Sequence, residues 1–278
     1  MTQILNGFET SKRLRQELKE EVSKLSGRKP GLAVVIVGED PASQTYVASK
    51  AKQATSVGFE SKIVKLDETI SQDKLIEHVQ GLNNDDTIDG ILVQLPLPSH
   101  IDEDTIIESI DPLKDVDGLH PLNVGYLELN KATLAPCTPK GIMRLLKEYK
   151  IELEGKNVLV IGRSRLVGKP IATMLLQENA TVTTAHSRTK NLKNLISQNE
   201  IIVVAIGQRE FIKANMLNEN QIVIDVGIHR HDGQLVGDVD KQAYDKVKAI
   251  TPVPKGVGPM TIYSLLENTL VSYKEKES

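Results

Sequence analysis

Residues 157–176 read N-V-L-V-I-G-R-S-R-L-V-G-K-P-I-A-T-M-L-L and combine an apolar run, a glycine turn and a helical pattern. The run at 158–161 is short and rich in β-branched side chains, which predicts a parallel strand buried on both faces. From Gly168 onward the apolar residues recur at helical spacing, and Pro170 is tolerated in the first turn of a helix. A strand, a tight turn and a helix start form a phosphate cradle, because the first N–H groups of a helix have no partner within it.

The turn departs from the usual dinucleotide fingerprint of three glycines. Gly162 and Gly168 stand six positions apart, and Ser164 occupies the place of the middle glycine. An ordinary strand-to-helix turn of an α/β protein is therefore an alternative to a dinucleotide site.

The next strand-like run, residues 181–185, ends in His186, Ser187 and Arg188. A protein specific for NAD usually carries an acidic residue at this point, where it binds the ribose hydroxyls. A hydroxyl and a guanidinium, together with Arg163 in the first turn, can instead hold a 2′-phosphate through charge-assisted hydrogen bonds, which favours NADP. The alternative is a pair of arginines on a solvated turn.

Length and composition limit the remaining possibilities. A chain of 278 residues is long enough for two domains, each with a sizeable core. With 34 basic and 37 acidic residues the net charge is −3, so nothing indicates a nucleic-acid or membrane-surface partner. The single cysteine, Cys137, cannot form an intrachain disulfide, and no apolar run approaches the ~18 residues of a membrane span. Because residues 1–12 also lack a signal-peptide pattern, we expect a cytoplasmic protein.

The first part of the chain alternates helix and strand. The pattern predicts a helix capped by Thr10 or Ser11 and running to Leu25, a strand at 32–37, a helix at 43–57, a strand at 62–66, a helix at 72–82 and a strand at 88–94. Strands separated by helices of this length indicate a parallel sheet with right-handed crossovers. Ligands of such sheets bind at the carboxyl ends of the strands.

Lys50 is the polar exception on an otherwise small or apolar stripe of the helix at 43–57. Tyr46 precedes it by one helical turn, so the two side chains project together. A lysine that faces a sheet or cleft is partly desolvated, which lowers its pKa and makes it a plausible proton carrier near neutral pH. The alternative is a lysine that reaches water along its apolar stem.

Two further polar features lie where ligands of such a sheet would bind. Gln94 interrupts the apolar end of the strand at 88–94, just before a Pro-x-Pro exit, and we expect it to face the same crevice as Lys50. Residues 111–118 gather carboxylates, among them Asp117, into a loop punctuated by Pro and Gly. An acidic loop is more often solvated than functional, so both interpretations of this loop stay open.

These motifs resemble those of the bifunctional methylenetetrahydrofolate dehydrogenase and methenyltetrahydrofolate cyclohydrolase family. The matching stretches follow the order of the family over almost the whole chain: residues 37–50, 90–98, 111–118, 136–139, 162–170 and 251–261. One departure is Lys255, which stands where many members have glycine.

The resemblance implies an α/β fold of two domains with an active-site cleft between them. Residues 1–121 would form a three-layer folate-binding catalytic domain, on which a final helix at 259–278 packs back. Residues 122–258 would form a Rossmann-like NADP-binding domain, and Thr138 and Pro139 would be the cap and first residue of the helix that links the two.

The resemblance also implies residue roles and a homodimer. The expected catalytic residues are Lys50, Tyr46, Gln94 and Asp117. The expected substrate-binding residues are Tyr46, Val93, Gln94, Leu95, Asp117, Pro252, Val253, Gly256, Gly258 and Pro259. The expected cofactor-binding residues are Gly162, Arg163, Ser164, Gly168, Ser187, Arg188 and Ile228. No metal site is expected, because one perturbed lysine with a polar partner can move the protons of the hydrolysis.

The implied activity is oxidation of 5,10-methylenetetrahydrofolate with NADP, followed by hydrolysis of the methenyl product to 10-formyltetrahydrofolate. Two alternatives remain open from the residues. One is a dehydrogenase without cyclohydrolase activity, in which Lys50 would be misplaced. The other is a catalytically silent dinucleotide-binding protein, against which the presence of Lys50, Gln94 and Asp117 argues.

Overall fold

The computed structural model describes residues 1–277, which form two compact units, each built on a parallel sheet. The three-strand unit comprises residues 13–137 and 262–277, and the six-strand unit comprises residues 1–12 and 138–261. The chain passes from one unit to the other three times, each time within a helix. The predicted α/β class with two domains is confirmed.

The regular elements follow one another in alternation along most of the chain. The helices are α1 (Gly7–Ser23), α2 (Pro41–Ser56), α3 (Gln72–Asn83), α4 (Glu103–Glu108), α5 (Pro121–Glu128), α6 (Cys137–Glu148), α7 (Gly168–Gln177), α8 (Leu192–Ser197) and α9 (Val257–Glu277). The strands are β1 (Gln3–Ile4), β2 (Gly31–Val37), β3 (Glu60–Leu66), β4 (Gly90–Val93), β5 (Asn157–Ile161), β6 (Thr181–Ala185), β7 (Ile201–Val204), β8 (Ile222–Asp225), β9 (His229–His231), β10 (Gln234–Val236) and β11 (Ala249–Ile250). Short 3-10 helices lie at Ala214–Met216 and Lys241–Asp245.

The three-strand unit has three layers, as predicted. Its sheet has the order β3-β2-β4, and every residue of β2 is buried. Because successive side chains of a strand point to opposite faces, β2 supplies two cores. Leu32, Val34 and Ile36 belong to a cluster with apolar residues of α1, α2 and α9, whereas Ala33, Val35 and Val37 belong to a cluster with α3.

The six-strand unit has a sheet of order β1-β11-β8-β7-β5-β6, in which all pairs are parallel. The predicted buried strand is β5, which lies between β6 and β7. The connections from β5 and β6 therefore leave in opposite directions, and the carboxyl ends of β5 and β7 form a topological switch point. In open α/β sheets, ligands bind at such a point. The antiparallel pair β9 and β10 forms a separate hairpin.

The start of α1 differs from the prediction. The helix begins at Gly7, and Thr10 and Ser11 lie inside it. Asn6 acts as the cap, since its Oδ1 accepts a hydrogen bond of 3.1 Å from Glu9 N.

Other helix starts also differ by a few residues. α2 begins at Pro41 because Asp40 caps it, with Asp40 Oδ2 accepting from Ser43 N at 2.7 Å. α6 begins at Cys137, so Thr138 and Pro139 are its second and third residues, and α9 begins at Val257 instead of residue 259.

The two compact units do not meet at the expected domain boundaries, residues 121 and 258. Residues 1–12 belong to the six-strand unit because β1 extends its sheet, with Gln3 paired with Ala249. Residues 122–137 belong to the three-strand unit. No helix within residues 1–277 is long and apolar enough to cross a membrane.

Candidate active site

Lys50 is buried in the three-strand unit, where its ammonium group meets two predicted partners. Its Nζ donates to Gln94 Oε1 at 3.0 Å and lies 4.6 Å from the centre of the Tyr46 ring. The residue is only 6% exposed, so the alternative of a lysine that reaches water is wrong. Helix α2 holds Tyr46 and Lys50 one turn apart, and Gln94 follows β4 directly.

The amide of Gln94 is fixed in the orientation that serves Lys50. Its Nε2 donates to the carbonyl oxygen of Leu95 at 2.6 Å. With the nitrogen engaged in this way, the oxygen of the amide is turned to the lysine. Val93 is buried and Leu95 half-buried, so both flank Gln94 with apolar surface.

Electrostatics at Lys50 favour a group that exchanges protons. Burial lowers the pKa of Lys50, while the nearby Asp117 carboxyl and Cys137 thiol act to raise it. Gln94 is neutral and adds a hydrogen bond without adding a negative charge. The lowered pKa makes Lys50 a better proton donor and acceptor than a lysine in water.

The loop at 111–118 is a built structure and not a solvated acidic segment. Asp115 is 1% exposed, and its Oδ2 accepts from His120 N at 2.7 Å and from Asn123 Nδ2 at 2.8 Å. Asp117 is partly exposed, and its carbonyl oxygen accepts from Cys137 N at 3.3 Å. The loop therefore presents the Asp117 carboxylate on a fixed backbone close to Lys50.

Asn268 of α9 is a residue of this site that sequence reasoning missed. It is fully buried, and its Nδ2 donates to Val116 O and to Ala135 O, each at 2.9 Å. These acceptors flank Asp117 and Cys137 along the chain. Its only sequence signal is a polar side chain amid the apolar spacing of the last helix.

The glycine turn of the six-strand unit packs directly on the end of β7. A Cβ atom on Gly162 would lie 2.2 Å from Ala205 O, and one on Gly168 would lie 2.4 Å from Gly162 O. Both positions therefore require glycine. Ser164 Oγ accepts from Gly168 N at 3.3 Å, and residues 163–166 are exposed. A close-packed turn at a helix start with an open outer face fits the pyrophosphate of a dinucleotide.

The turn after β6 exposes two side chains on a fixed backbone. His186 N donates to Thr189 Oγ1 at 2.8 Å, and Thr189 N donates to His186 O at 2.8 Å. Ser187 and Arg188 are exposed, as is Arg163 in the glycine turn. These side chains can bind a phosphate without breaking an internal contact of the turn's backbone.

The predicted substrate loop lies in the six-strand unit, unlike the group around Lys50. Val253 N donates to Tyr244 Oη at 2.9 Å, and a Cβ atom on Gly256 would lie 2.3 Å from Pro252 O. Lys255 has a φ of +81°, so it adopts the left-handed conformation that glycine prefers.

The other two residues of that loop lie at the start of α9. Gly258 and Pro259 are partly exposed. Gly258 faces Ile228, because a Cβ atom there would lie 3.5 Å from Ile228 Cδ1. Ile228 itself is 54% exposed, unusual for a large apolar side chain that follows a central strand.

The comparisons with known proteins agree with this geometry. One family model, described as the catalytic domain of tetrahydrofolate dehydrogenase/cyclohydrolase, matches residues 5–117, and the NAD(P)-binding domain of the same family matches residues 136–277. The bifunctional protein FolD of Oceanobacillus iheyensis is 51% identical to this chain over 278 residues, which are 99% of this chain and 98% of the relative. The chain belongs to this family.

Solved structures of the tetrahydrofolate dehydrogenase/cyclohydrolase family share the fold. The bifunctional FolD enzyme of Campylobacter jejuni superposes with a TM-score of 0.97 at 49% identity, covering 99% of this chain and 100% of the other. The Trypanosoma brucei FolD, solved with NADP and an inhibitor, has a TM-score of 0.95 at 38% identity, covering 99% of this chain and 98% of the other.

Sequence reasoning also missed a pair of buried carboxylates in the NAD(P)-binding part. Asp225 and Asp238 are 1% and 0% exposed. The only sequence signal for this pair is Gly237 beside Asp238, since a glycine in a strand pattern often marks a close backbone approach. Among residues 1–277, no group of three or more His, Cys, Asp or Glu side chains lies close enough together to hold a metal ion.

Proposed function

We propose that this chain is a bifunctional folate enzyme. It oxidises 5,10-methylenetetrahydrofolate to 5,10-methenyltetrahydrofolate with NADP and hydrolyses that product to 10-formyltetrahydrofolate. The observation that carries the proposal is the buried Lys50, hydrogen-bonded to Gln94 and placed at the ring of Tyr46. Membership of the dehydrogenase/cyclohydrolase family supports the same two reactions, and the relative from Trypanosoma brucei was solved with NADP.

We assign the chemistry on the folate side to four residues. Lys50 moves protons, and Gln94 positions its Nζ. Tyr46 positions the folate over Lys50, and Asp117 accepts hydrogen bonds from adjacent ring N–H and amino donors of the pterin. The further folate contacts that we propose are Val93, Leu95, Pro252, Val253, Gly256, Gly258 and Pro259.

For the first step, bound NADP would supply the acceptor for the hydride of the methylene carbon. The task of the chain is to orient the two reactants, which can supply much of the rate. Gly162, Ser164 and Gly168 hold the pyrophosphate at the start of α7. Arg163, Ser187 and Arg188 bind the 2′-phosphate, and Ile228 borders the nicotinamide.

In the second step the methenyl carbon, an electrophilic iminium, takes up the oxygen of a water molecule. The attacking water loses one proton to give a hydroxyl on this carbon. That hydroxyl loses the second proton as it becomes the formyl carbonyl, and the bond from this carbon to N5 breaks with its electron pair passing to N5. N5 takes up one proton, so the reaction consumes one water and releases one proton. Lys50 carries these protons between water and N5, because burial has lowered its pKa toward the range of general acid–base catalysis.

Two separate product assays on the purified chain test this function. Formation of NADPH reports the oxidation, and loss of the methenyl chromophore above its uncatalysed rate reports the hydrolysis. We expect both activities from one protein. NADPH formation alone would indicate a monofunctional dehydrogenase, and NADP binding without either product would indicate a silent binding protein; either result would overturn the proposal.

We also propose that the chain works as a homodimer in the cytoplasm, on the strength of its family likeness. Its single cysteine is buried and needs no oxidising compartment. Light scattering on the purified protein should give twice the chain mass of 30.6 kDa. A mass of one chain at micromolar concentration would contradict the dimer, and recovery of the native protein outside the cytoplasmic fraction would contradict the location.

A further inference from the structure

Asp238 joins two backbone segments of the six-strand unit. Its Oδ2 accepts from Ile206 N at 2.9 Å and from Gly207 N at 3.0 Å, which follow β7. Its Oδ1 lies 2.8 Å from His229 Nε2, at the start of β9. The Asp238 side chain is fully buried, so its carboxylate depends on these partners instead of water.

A second buried carboxylate extends the same network. Asp225 Oδ1 accepts from Gly227 N at 3.0 Å and from Asp238 N at 2.9 Å, and its Oδ2 accepts from Val239 N at 3.0 Å. Asp225 N donates in turn to Thr251 Oγ1 at 2.8 Å, at the entry to the loop at 252–259. The two carboxylates thus link the segments after β7 and β8 to residues 238 and 239, and the backbone of Asp225 adds Thr251, which follows β11.

Two glycines make this close approach possible. A Cβ atom on Gly227 would lie 2.3 Å from Asp238 Oδ1, and one on Gly237 would lie 1.9 Å from Asp225 Oδ2. The backbone is therefore packed against the carboxylates with no room for a side chain. Such packing ties the position of each segment to the carboxylate that it contacts.

The segments held by Asp238 border the proposed cofactor site. Ile206 directly follows Ala205, whose carbonyl oxygen supports Gly162 of the phosphate turn. His229 directly follows Ile228, the exposed apolar residue that we place beside the nicotinamide. The Asp238 side chain thus holds both the 205–207 segment, on which the phosphate turn packs, and the residue after Ile228, which we place beside the nicotinamide.

We propose that Asp238 is a positioning residue for the dehydrogenase reaction, which sets the spacing between the 205–207 segment and Ile228 so that NADP binds in the reactive orientation. It acts through backbone N–H groups and His229 and does not touch the cofactor. This inference rests on the proposed function for its activity assay. It extends that function by adding a residue outside the family motifs that we identified in the sequence.

The test compares Asp238→Asn, Asp238→Ala and His229→Ala with Asp232→Asn, an exposed carboxylate at the tip of the same hairpin. Misplacing a reactant by about 1 Å can cost about 100-fold in rate. We therefore expect Asp238→Ala to lower dehydrogenase kcat/KM for NADP by about 100-fold, and Asp238→Asn and His229→Ala to lower it by about 10-fold. Cyclohydrolase kcat, whose proton transfers we assign to Lys50 in the three-strand unit, should stay within about two-fold in every folded variant.

Three readouts distinguish positioning from general stability. Direct NADP titration by calorimetry should show a weaker Kd for the Asp238 variants, and this readout does not require either activity. A parallel loss of both activities that follows the folded fraction, measured by thermal unfolding, would overturn the proposal. Unchanged NADP Kd and dehydrogenase kcat/KM in Asp238→Asn and His229→Ala would also overturn it. Should Asp238→Ala not fold, these two milder variants decide the question.

Discussion

At Lys50, burial changes the chemistry of a common surface cation. In water a lysine ammonium keeps its proton at neutral pH. Here burial lowers the pKa, and the partner within hydrogen-bond distance is a neutral amide instead of a carboxylate. A carboxylate in the place of Gln94 would raise the pKa and hold the proton on Lys50. The residue types at these two positions therefore suit proton transfer more than charge pairing.

Arg163 provides a residue-scale prediction about cofactor choice. Arg163→Ala should weaken NADP binding by about 1.5–3 kcal/mol, or roughly ten- to hundred-fold, because a charge-assisted contact with the 2′-phosphate is lost. NAD lacks that phosphate, so its affinity should change far less. Titration of the variant with both cofactors measures the difference, and Lys213→Ala, an exposed cation of the same unit, is the control. Equal weakening of NADP and NAD would contradict the role of Arg163.

Among the regular elements, those with a strong local pattern could be predicted from the sequence. β2 and residues 158–161 of β5 are uninterrupted apolar runs, and burial on both faces follows from that composition. Helix starts were less predictable, because several polar residues compete to cap the same helix. At α1 Asn6 caps the helix, although Thr10 and Ser11 are also residue types that cap helices.

The end of β8 should make stability depend on pH. Burial raises the pKa of Asp225 from 3.8 to about 7. Three backbone hydrogen bonds act to lower this pKa, and the charge of Asp238 acts to raise it, but burial has the largest effect. Because the folded pKa is the higher one, the stabilisation from protonated Asp225 is complete below pH 3.8 and is lost as the pH rises through 7. This single group should lower the free energy of unfolding by about 2–3 kcal/mol between pH 5 and pH 8.

Urea unfolding at pH 5 and pH 8 measures this dependence, with Asp225→Asn as the comparison. The variant has no titrating carboxyl at that position. Between pH 5 and pH 8 its free energy of unfolding should therefore fall by about 2–3 kcal/mol less than that of the wild type. Parallel curves for the two proteins would show that Asp225 does not titrate in this range.

The loop at 252–259 contains a second element-scale prediction. A left-handed conformation costs a residue with a Cβ atom about 1–2 kcal/mol, and Lys255 adopts it. Lys255→Gly should therefore raise the free energy of unfolding by up to about 1 kcal/mol, after the greater flexibility of unfolded glycine is subtracted. Lys255→Ala keeps the Cβ atom and is the control. A gain in the alanine variant as large as in the glycine variant would mean that backbone strain is not the cause.

On the scale of the whole molecule, the contacts hardest to predict join residues far apart in sequence. Asn268 reaches Val116 across 152 positions and Ala135 across 133. Asp238 reaches Gly207 across 31 positions. A single sequence gives no indication of such pairs. Lys50 and Gln94 could be paired because Lys50 lies on the apolar stripe of the helix after one strand and Gln94 lies at the end of another strand of the same sheet. The placement of the candidate site residues that lie close to motifs could therefore be predicted, and the buried residues that hold them could not.

Asp117 tests whether one folate site serves both reactions. Asp117→Ala should raise the folate KM of the dehydrogenase and of the cyclohydrolase by similar factors, because both reactions need the pterin held in the same place. NADP affinity should stay nearly unchanged, since Asp117 belongs to the three-strand unit and the glycine turn to the six-strand unit. The two activities and an NADP titration on the same preparation provide the measurement. Loss of only one activity would require separate folate sites.

The central claim is that Lys50 is the proton carrier of the hydrolysis, and Lys50→Met tests it most directly. General acid–base catalysis contributes typically ~10²–10⁴-fold, so cyclohydrolase activity should fall by at least ~10²-fold, while some dehydrogenase activity survives because hydride transfer depends mainly on orientation. Lys52→Met, an exposed lysine of the same helix, is the matched control and should keep both activities. The measurement is the rate of methenyl hydrolysis by each folded variant, corrected for the uncatalysed reaction. A rate in Lys50→Met equal to that of Lys52→Met would contradict the account.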